Sequence, residues 1–88
     1  MKNKDAFVDA AADALREIRR ARLLGWGPYH SAHEGIAVLL EEVDELKTHV
    51  WTNQKKRDVQ AMRAEAIQVA AVALHFAVLC ADEKWGRR

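Results

Sequence analysis

One cysteine, one proline and four glycines in 88 residues leave no material for a disulfide framework, a proline-rich segment or a turn-dense β architecture. Cys80, being alone, excludes an internal disulfide, and the unpaired thiol fits a cytoplasmic protein. Net charge is also small. The formal net charge is +1, with basic residues scattered among acidic ones, so electrostatics give no case for a nucleic-acid partner. Long apolar runs are missing too. The longest, Val69 to Cys80, is interrupted by His75 and is too short for a bilayer span, and Met-Lys-Asn-Lys-Asp leads into an amphipathic pattern in place of a signal-peptide core. A cytoplasmic protein with no membrane partner is expected.

What is abundant favours helix. Half the residues are hydrophobic, and alanine, leucine, glutamate, lysine and arginine dominate, which predicts an all-α fold in a single domain over residues 1–88. From about Lys4 to Leu24, Phe7, Ala11, Ala14, Ile18 and Ala21 recur at three- and four-residue steps and form one face. Arg16, Arg19, Arg20 and Arg22 lie on the remainder, either solvated or within reach of a phosphate. Gly25-Trp26-Gly27-Pro28-Tyr29 ends that helix. Its aromatics either cover a small core or line a pocket for a base.

Ser31-Ala-His-Glu34 has the form of a capping box, Ser31 covering the amide three residues on and Glu34 reaching back to the Ser31 amide. The second helix is predicted from about Ala32 to Trp51, with Ile36, Leu39, Leu40, Val43, Leu46 and Val50 as its stripe. His30 and His33 straddle its start, and no other histidine or cysteine pair supports a zinc site. The polar segment from Thr52 to Asp58 reads as a connector, and its Lys55, Lys56 and Arg57 are candidates for meeting a triphosphate. A third helix is predicted from about Asp58 to Lys84, with Met62, Glu65, Val69, Val72, Phe76 and Leu79 as its stripe and Ala61, Gln68 and His75 along one edge.

Two acidic features do not fit a plain bundle. Glu41-Glu42-Val43-Asp44-Glu45 packs four carboxylates into five residues, and Glu42 borders the apolar stripe with Glu45 one step further round. Carboxylates three residues apart repel unless a cation joins them. Glu65 falls in the middle of the apolar face of the third helix, where an unpaired carboxylate is costly. Arg63 points to another side of that helix, so a divalent cation shared by Glu42, Glu45 and Glu65 accounts for more residues than an arginine partner does.

The pattern Glu-Glu-x-x-Glu, nineteen intervening residues, then Glu-x-x-Gln resembles the MazG-like, all-α nucleotide pyrophosphohydrolases, whose usual signature is EExxE followed by ExxD. The resemblance is strongest from Ser31 to about Phe76. It implies that Glu42, Glu45, Glu65 and Gln68 are magnesium ligands and that Glu41 orients or deprotonates a water. Gln68 stands where the family usually has aspartate; its amide oxygen suits a hard cation but brings no charge. The implied reaction is magnesium-dependent hydrolysis of a (deoxy)nucleoside triphosphate to monophosphate and pyrophosphate. The implied assembly is a homodimer or homotetramer whose four-helix-type core is completed by oligomerisation of three main helices per chain. The rival expectation is a non-catalytic helical oligomer with a solvated acidic face. A di-iron bundle would need Glu-x-x-His motifs, which the chain lacks.

Overall fold

Asp5 opens the first helix by accepting hydrogen bonds from the Phe7 and Val8 amides at 2.9 and 3.4 Å, two of the donors that a helix start leaves without partners. The computed structural model describes residues 5–88, so Lys4, where the periodicity begins this helix, lies outside the described residues. Helix α1 spans Ala6–Leu23 and stops at Gly25, whose φ of +90° suits glycine alone. Helix α2 spans Ala32–Val50, helix α3 Val59–Leu79, and a single turn, α4, spans Glu83–Gly86. A 3-10 turn at Gln54–Lys56 lies in the α2–α3 connection. The protein is all-helical, as composition predicts.

Local chemistry fixes each boundary. Ser31 Oγ accepts from the Glu34 amide at 3.2 Å, as the capping box requires. The reciprocal bond differs from expectation: Glu34 accepts from the His30 amide at 2.8 Å and pairs with His30 Nδ1 at 3.1 Å. With Ser31 fully extended at the N-cap, the amide before it is the one within reach of Glu34. Asp58 caps α3 through the Ala61 amide at 3.0 Å. The third helix ends five residues before Lys84, because Asp82 accepts from the Lys84 and Trp85 amides and starts a new turn.

Helix α3 is the centre of the fold. Both α1 and α2 pack on it, and they scarcely touch one another. Its expected stripe is half-buried along the whole length, from Met62 through Glu65, Val69, Val72 and Phe76 to Leu79. At one end Gly35 lets α2 approach closely, since a Cβ there would lie 2.6 Å from the Phe76 ring. Trp85 of α4 is buried against Phe76, edge to face with ring centroids 5.1 Å apart, and donates its indole N–H to the Tyr29 carbonyl at 2.7 Å.

The core is thin. Ala14, Ala71 and Trp85 are the only buried hydrophobic residues among the described ones. Four residues assigned to apolar stripes lie outside it: Ala11 is exposed, and Phe7 is 88% exposed, Ile36 43% and Leu40 55%. The radius of gyration is 14.8 Å, against about 12 Å for a compact chain of this length. Two helices flanking a third leave one side of each open, so the described residues do not form a closed four-helix core. Helix α3 as a whole, 21 residues from Val59 to Leu79, is long and apolar enough, by length and composition, to cross a membrane, although Gln60, Arg63, Glu65 and Gln68 lie within it.

A candidate metal centre beside an open groove

Helices α2 and α3 run antiparallel through a short connection, which sets the middle of one against the start of the other. Glu42 and Glu45 therefore meet Glu65. One carboxylate oxygen from each of the three lies within 4.8 Å of the others, with Glu42 and Glu65 half-buried and Glu45 exposed. Burial raises the Glu42 carboxyl above its ordinary range, and the charges of Glu45, Glu65 and Glu41 raise it further. Glu65 is raised first by burial, then by a side-chain hydrogen bond and charge repulsion from Glu45, while His49 opposes the shift. With the Glu42 and Glu65 carboxyls both held above their ordinary range, the three carboxylates form a hard, oxygen-only donor set that a divalent cation suits.

Glu41 is exposed and contributes to the field at Glu42, but it is not one of the three converging carboxylates. Asp44 faces solvent beside Lys47, with 3.8 Å between them. Gln68 lies one turn beyond Glu65, and its amide nitrogen is taken by α1: it donates to Glu17 Oε1 at 2.7 Å. That bond is the main reason the Glu17 carboxyl lies below its ordinary range, followed by the bond from Arg20. Arg63 is equally committed to α1, meeting Asp13 at 2.9 Å. Arg16 bonds Asp13 as well.

Of the three cations proposed for phosphate, Lys55 and Lys56 are exposed, whereas Arg57 is half-buried and donates Nε–H to the Val50 carbonyl at 2.8 Å, closing the end of α2. None of the three lines the large groove described next.

That groove, about 1180 Å³, opens between α1 and α2 with α3 as its floor. Glu42 borders it, so the acidic cluster is continuous with it. Gln68, Val72 and His75 of α3, Ile18 and Ala21 of α1, and Trp26 and Tyr29 of the first loop line it, and Arg20, Arg22 and Arg88 supply its cations. Tyr29 packs on the His75 ring with centroids 4.8 Å apart and planes 47° from parallel. Arg88 is held at this end by a bond to the His30 carbonyl at 3.1 Å.

No family model matches this chain, and neither a curated protein nor a solved structure matches it.

Sequence reasoning missed Glu17, His49 and Arg88. His49 was detectable, being four residues after Glu45 and thus on the same helical face. Glu17 and Arg88 reach the groove through tertiary contacts separated by 51 and 58 residues, which no local pattern encodes.

Proposed function

We propose that the chain is a magnesium-dependent pyrophosphohydrolase of (deoxy)nucleoside triphosphates, releasing the monophosphate and pyrophosphate. The observation that carries this reading is the convergence of Glu42, Glu45 and Glu65 at the edge of a groove large enough for a nucleotide. Its sequence counterpart is the EExxE and ExxQ pattern.

Glu42, Glu45 and Glu65 would hold the metal, which when bound neutralises phosphate oxygens and makes a water acidic enough to attack. Gln68 orients Glu17 at the edge of this site, and its remaining amide oxygen is a neutral donor for the cation or its water. Glu41, exposed beside Glu42, accepts the proton that the attacking water gives up. Lys55 and Lys56, or Arg20, Arg22 and Arg88 along the groove, meet phosphate oxygens beyond the reach of the metal. The exposed Ile36 and Leu40 and the open packing of three helices support assembly into a homodimer or larger homo-oligomer that completes the core. Cytoplasmic location is part of the proposal and rests on the single thiol.

The deciding experiment incubates the protein with a panel of ribo- and deoxynucleoside triphosphates and magnesium and resolves the products. Monophosphate with pyrophosphate, lost in Glu65→Gln, is the expected result. Orthophosphate with a diphosphate would mean cleavage at the terminal phosphate. No turnover, with no calorimetric magnesium binding that depends on Glu65, would leave the helical-oligomer reading in its place.

A further inference from the structure

His75 is 6% exposed, and its Nε2 is buried with no hydrogen-bond partner among the described residues. A buried donor or acceptor without a partner is destabilising, and native folds leave few of them. Tyr29 of the first loop packs on the imidazole, with ring centroids 4.8 Å apart, and the backbone from Trp26 to Tyr29 belongs to no helix. Two glycines begin that loop. Gly25 has a φ of +90°, and a Cβ at Gly25 or Gly27 would meet nothing within 4 Å, so the chain turns there free of any packed neighbour.

The far side of the loop is fastened by residues more than fifty positions away. Trp85 Nε1 donates to the Tyr29 carbonyl at 2.7 Å, and Arg88 donates to the His30 carbonyl at 3.1 Å. Trp85 is itself buried edge to face against Phe76. A free hinge on one side, two fastened carbonyls on the other and an unsatisfied imidazole under Tyr29 have one economical explanation. We infer that the loop from Gly25 to His30 is a hinged cover over His75, latched by Trp85 and Arg88, and that acid releases it by protonating His75. Opening gives Nε2 water to bond and widens the end of the groove that Trp26, Tyr29 and Arg88 line. The cover therefore controls entry to the groove, and it does not depend on the nucleotide reading.

Burial, followed by the nearby Arg22 charge, holds the imidazole below its ordinary 6.5 in the closed form. The closed form is thus favoured while His75 is neutral. As pH falls below 6.5, the open form takes up a proton that the closed form excludes, so opening increases, by at most about tenfold per pH unit for one proton. Other charged groups share the groove. Arg20 and Arg22 of α1 and Arg88 at the chain end keep their charge throughout. Glu17 of α1 is held below its ordinary range by the bond from Gln68, and Glu34 of α2 by its bonds from His30, so both stay ionised near neutrality. Burial raises the Tyr29 phenol, which stays neutral. Asp82 is occupied in capping α4, and α3 carries no carboxylate, lysine or arginine between Glu65 and Asp82. His30 of the loop and Glu42 of α2, the latter raised chiefly by burial, are the groups that require controls.

Hydrogen exchange followed by NMR from about pH 5 to pH 7.5, corrected for intrinsic exchange rates, tests the cover in the protein without ligand or metal. The latch is read at the Trp85 indole N–H and the cover at the amide of residue 30, which Glu34 holds at 2.8 Å. In wild type both are expected to be much less protected than amides in the middle of α3, and to lose protection progressively below pH 6.5. His75→Phe and His75→Gln, neither of which titrates, are expected to abolish that pH dependence, whereas His30→Gln and Glu42→Gln keep it. Trp85→Phe retains an aromatic ring beside Phe76 without the indole N–H, and is expected to lower protection at residue 30 by about fivefold, one net hydrogen bond, across the whole range. The inference is overturned by exchange that is independent of pH in wild type, by a dependence that survives both His75 variants, or by one that vanishes in His30→Gln or Glu42→Gln. Equal protection of the Trp85 indole and the middle of α3 would overturn it as well, since the loop would then open only when the whole protein unfolds.

Discussion

Gln68 donates its side-chain N–H to Glu17 at 2.7 Å, joining α3 to α1 at the position where the resembling family places a metal-binding aspartate. The residue that departs from the motif thus ties the α1 wall of the groove to its α3 floor. A neutral amide can donate to Glu17, whereas an aspartate there would oppose it.

Replacing Gln68 by Leu is expected to lower stability by about 1 kcal/mol, the contribution of a part-exposed hydrogen bond to a charged group. Gln68→Glu is expected to lower it further at pH 7, since two carboxylates then face each other, and to recover the difference on acidification. Urea midpoints at pH 7 and pH 4 check both.

Glu65→Gln is expected to separate stability from metal binding. The Glu65 carboxyl is raised above its ordinary 4.5 in the folded chain. Its contribution to stability is therefore fully present below pH 4.5 and is lost as pH rises through the folded-state value. Without magnesium, the variant should be more stable than wild type at pH 7 by about 0.5 kcal/mol after allowance for solvent screening. That advantage should shrink towards pH 4.5. With magnesium at a hundredfold excess over Kd, wild type should gain about 2.7 kcal/mol and the variant almost nothing. Thermal melts across pH, with and without magnesium, measure both effects.

Gly35→Ala tests the close approach of α2 to α3. Alanine favours helix over glycine by about 1 kcal/mol, but its Cβ would lie 2.6 Å from Phe76 Cδ2 and 3.3 Å from the Tyr29 ring. Phe76 is braced by Trp85, so the ring cannot move aside freely. A net loss of about 1–2 kcal/mol is expected, as for overpacking elsewhere. A denaturation curve showing a gain in stability would mean that the Phe76 contact relaxes.

Leu40→Lys tests assembly. If Leu40 meets a second copy, sedimentation at micromolar concentration should shift from an oligomer in wild type to a monomer in the variant, and the concentration dependence of Tm should vanish with it. A wild-type monomer at all concentrations would remove the oligomer from the proposal.

Much of the fold was legible because helix formation follows local rules. Ser31 and Asp58 cap the helices that the periodicity predicts, and Gly25 ends α1 where left-handed backbone is needed. The stripe from Met62 to Leu79 is half-buried along its length. Periodicity failed at Phe7, Ala11, Ile36 and Leu40, because an apolar face needs a neighbour as well as a period, and one chain provides too few. It failed again beyond Leu79, where the cap made by Asp82 restarts the backbone.

The sequence by itself determined that the protein is helical, where α2 and α3 begin, and that Glu42, Glu45 and Glu65 share the α2–α3 side, since spacing on two antiparallel helices joined by a short link leaves those residues little choice of neighbour. Only the tertiary structure decided that Gln68 is held by Glu17, that Arg57 closes α2, and that His75 keeps an unmatched nitrogen in the floor of a groove. Those facts depend on how α1 and the first loop lie across α3, and that arrangement is set by contacts between residues far apart in the chain.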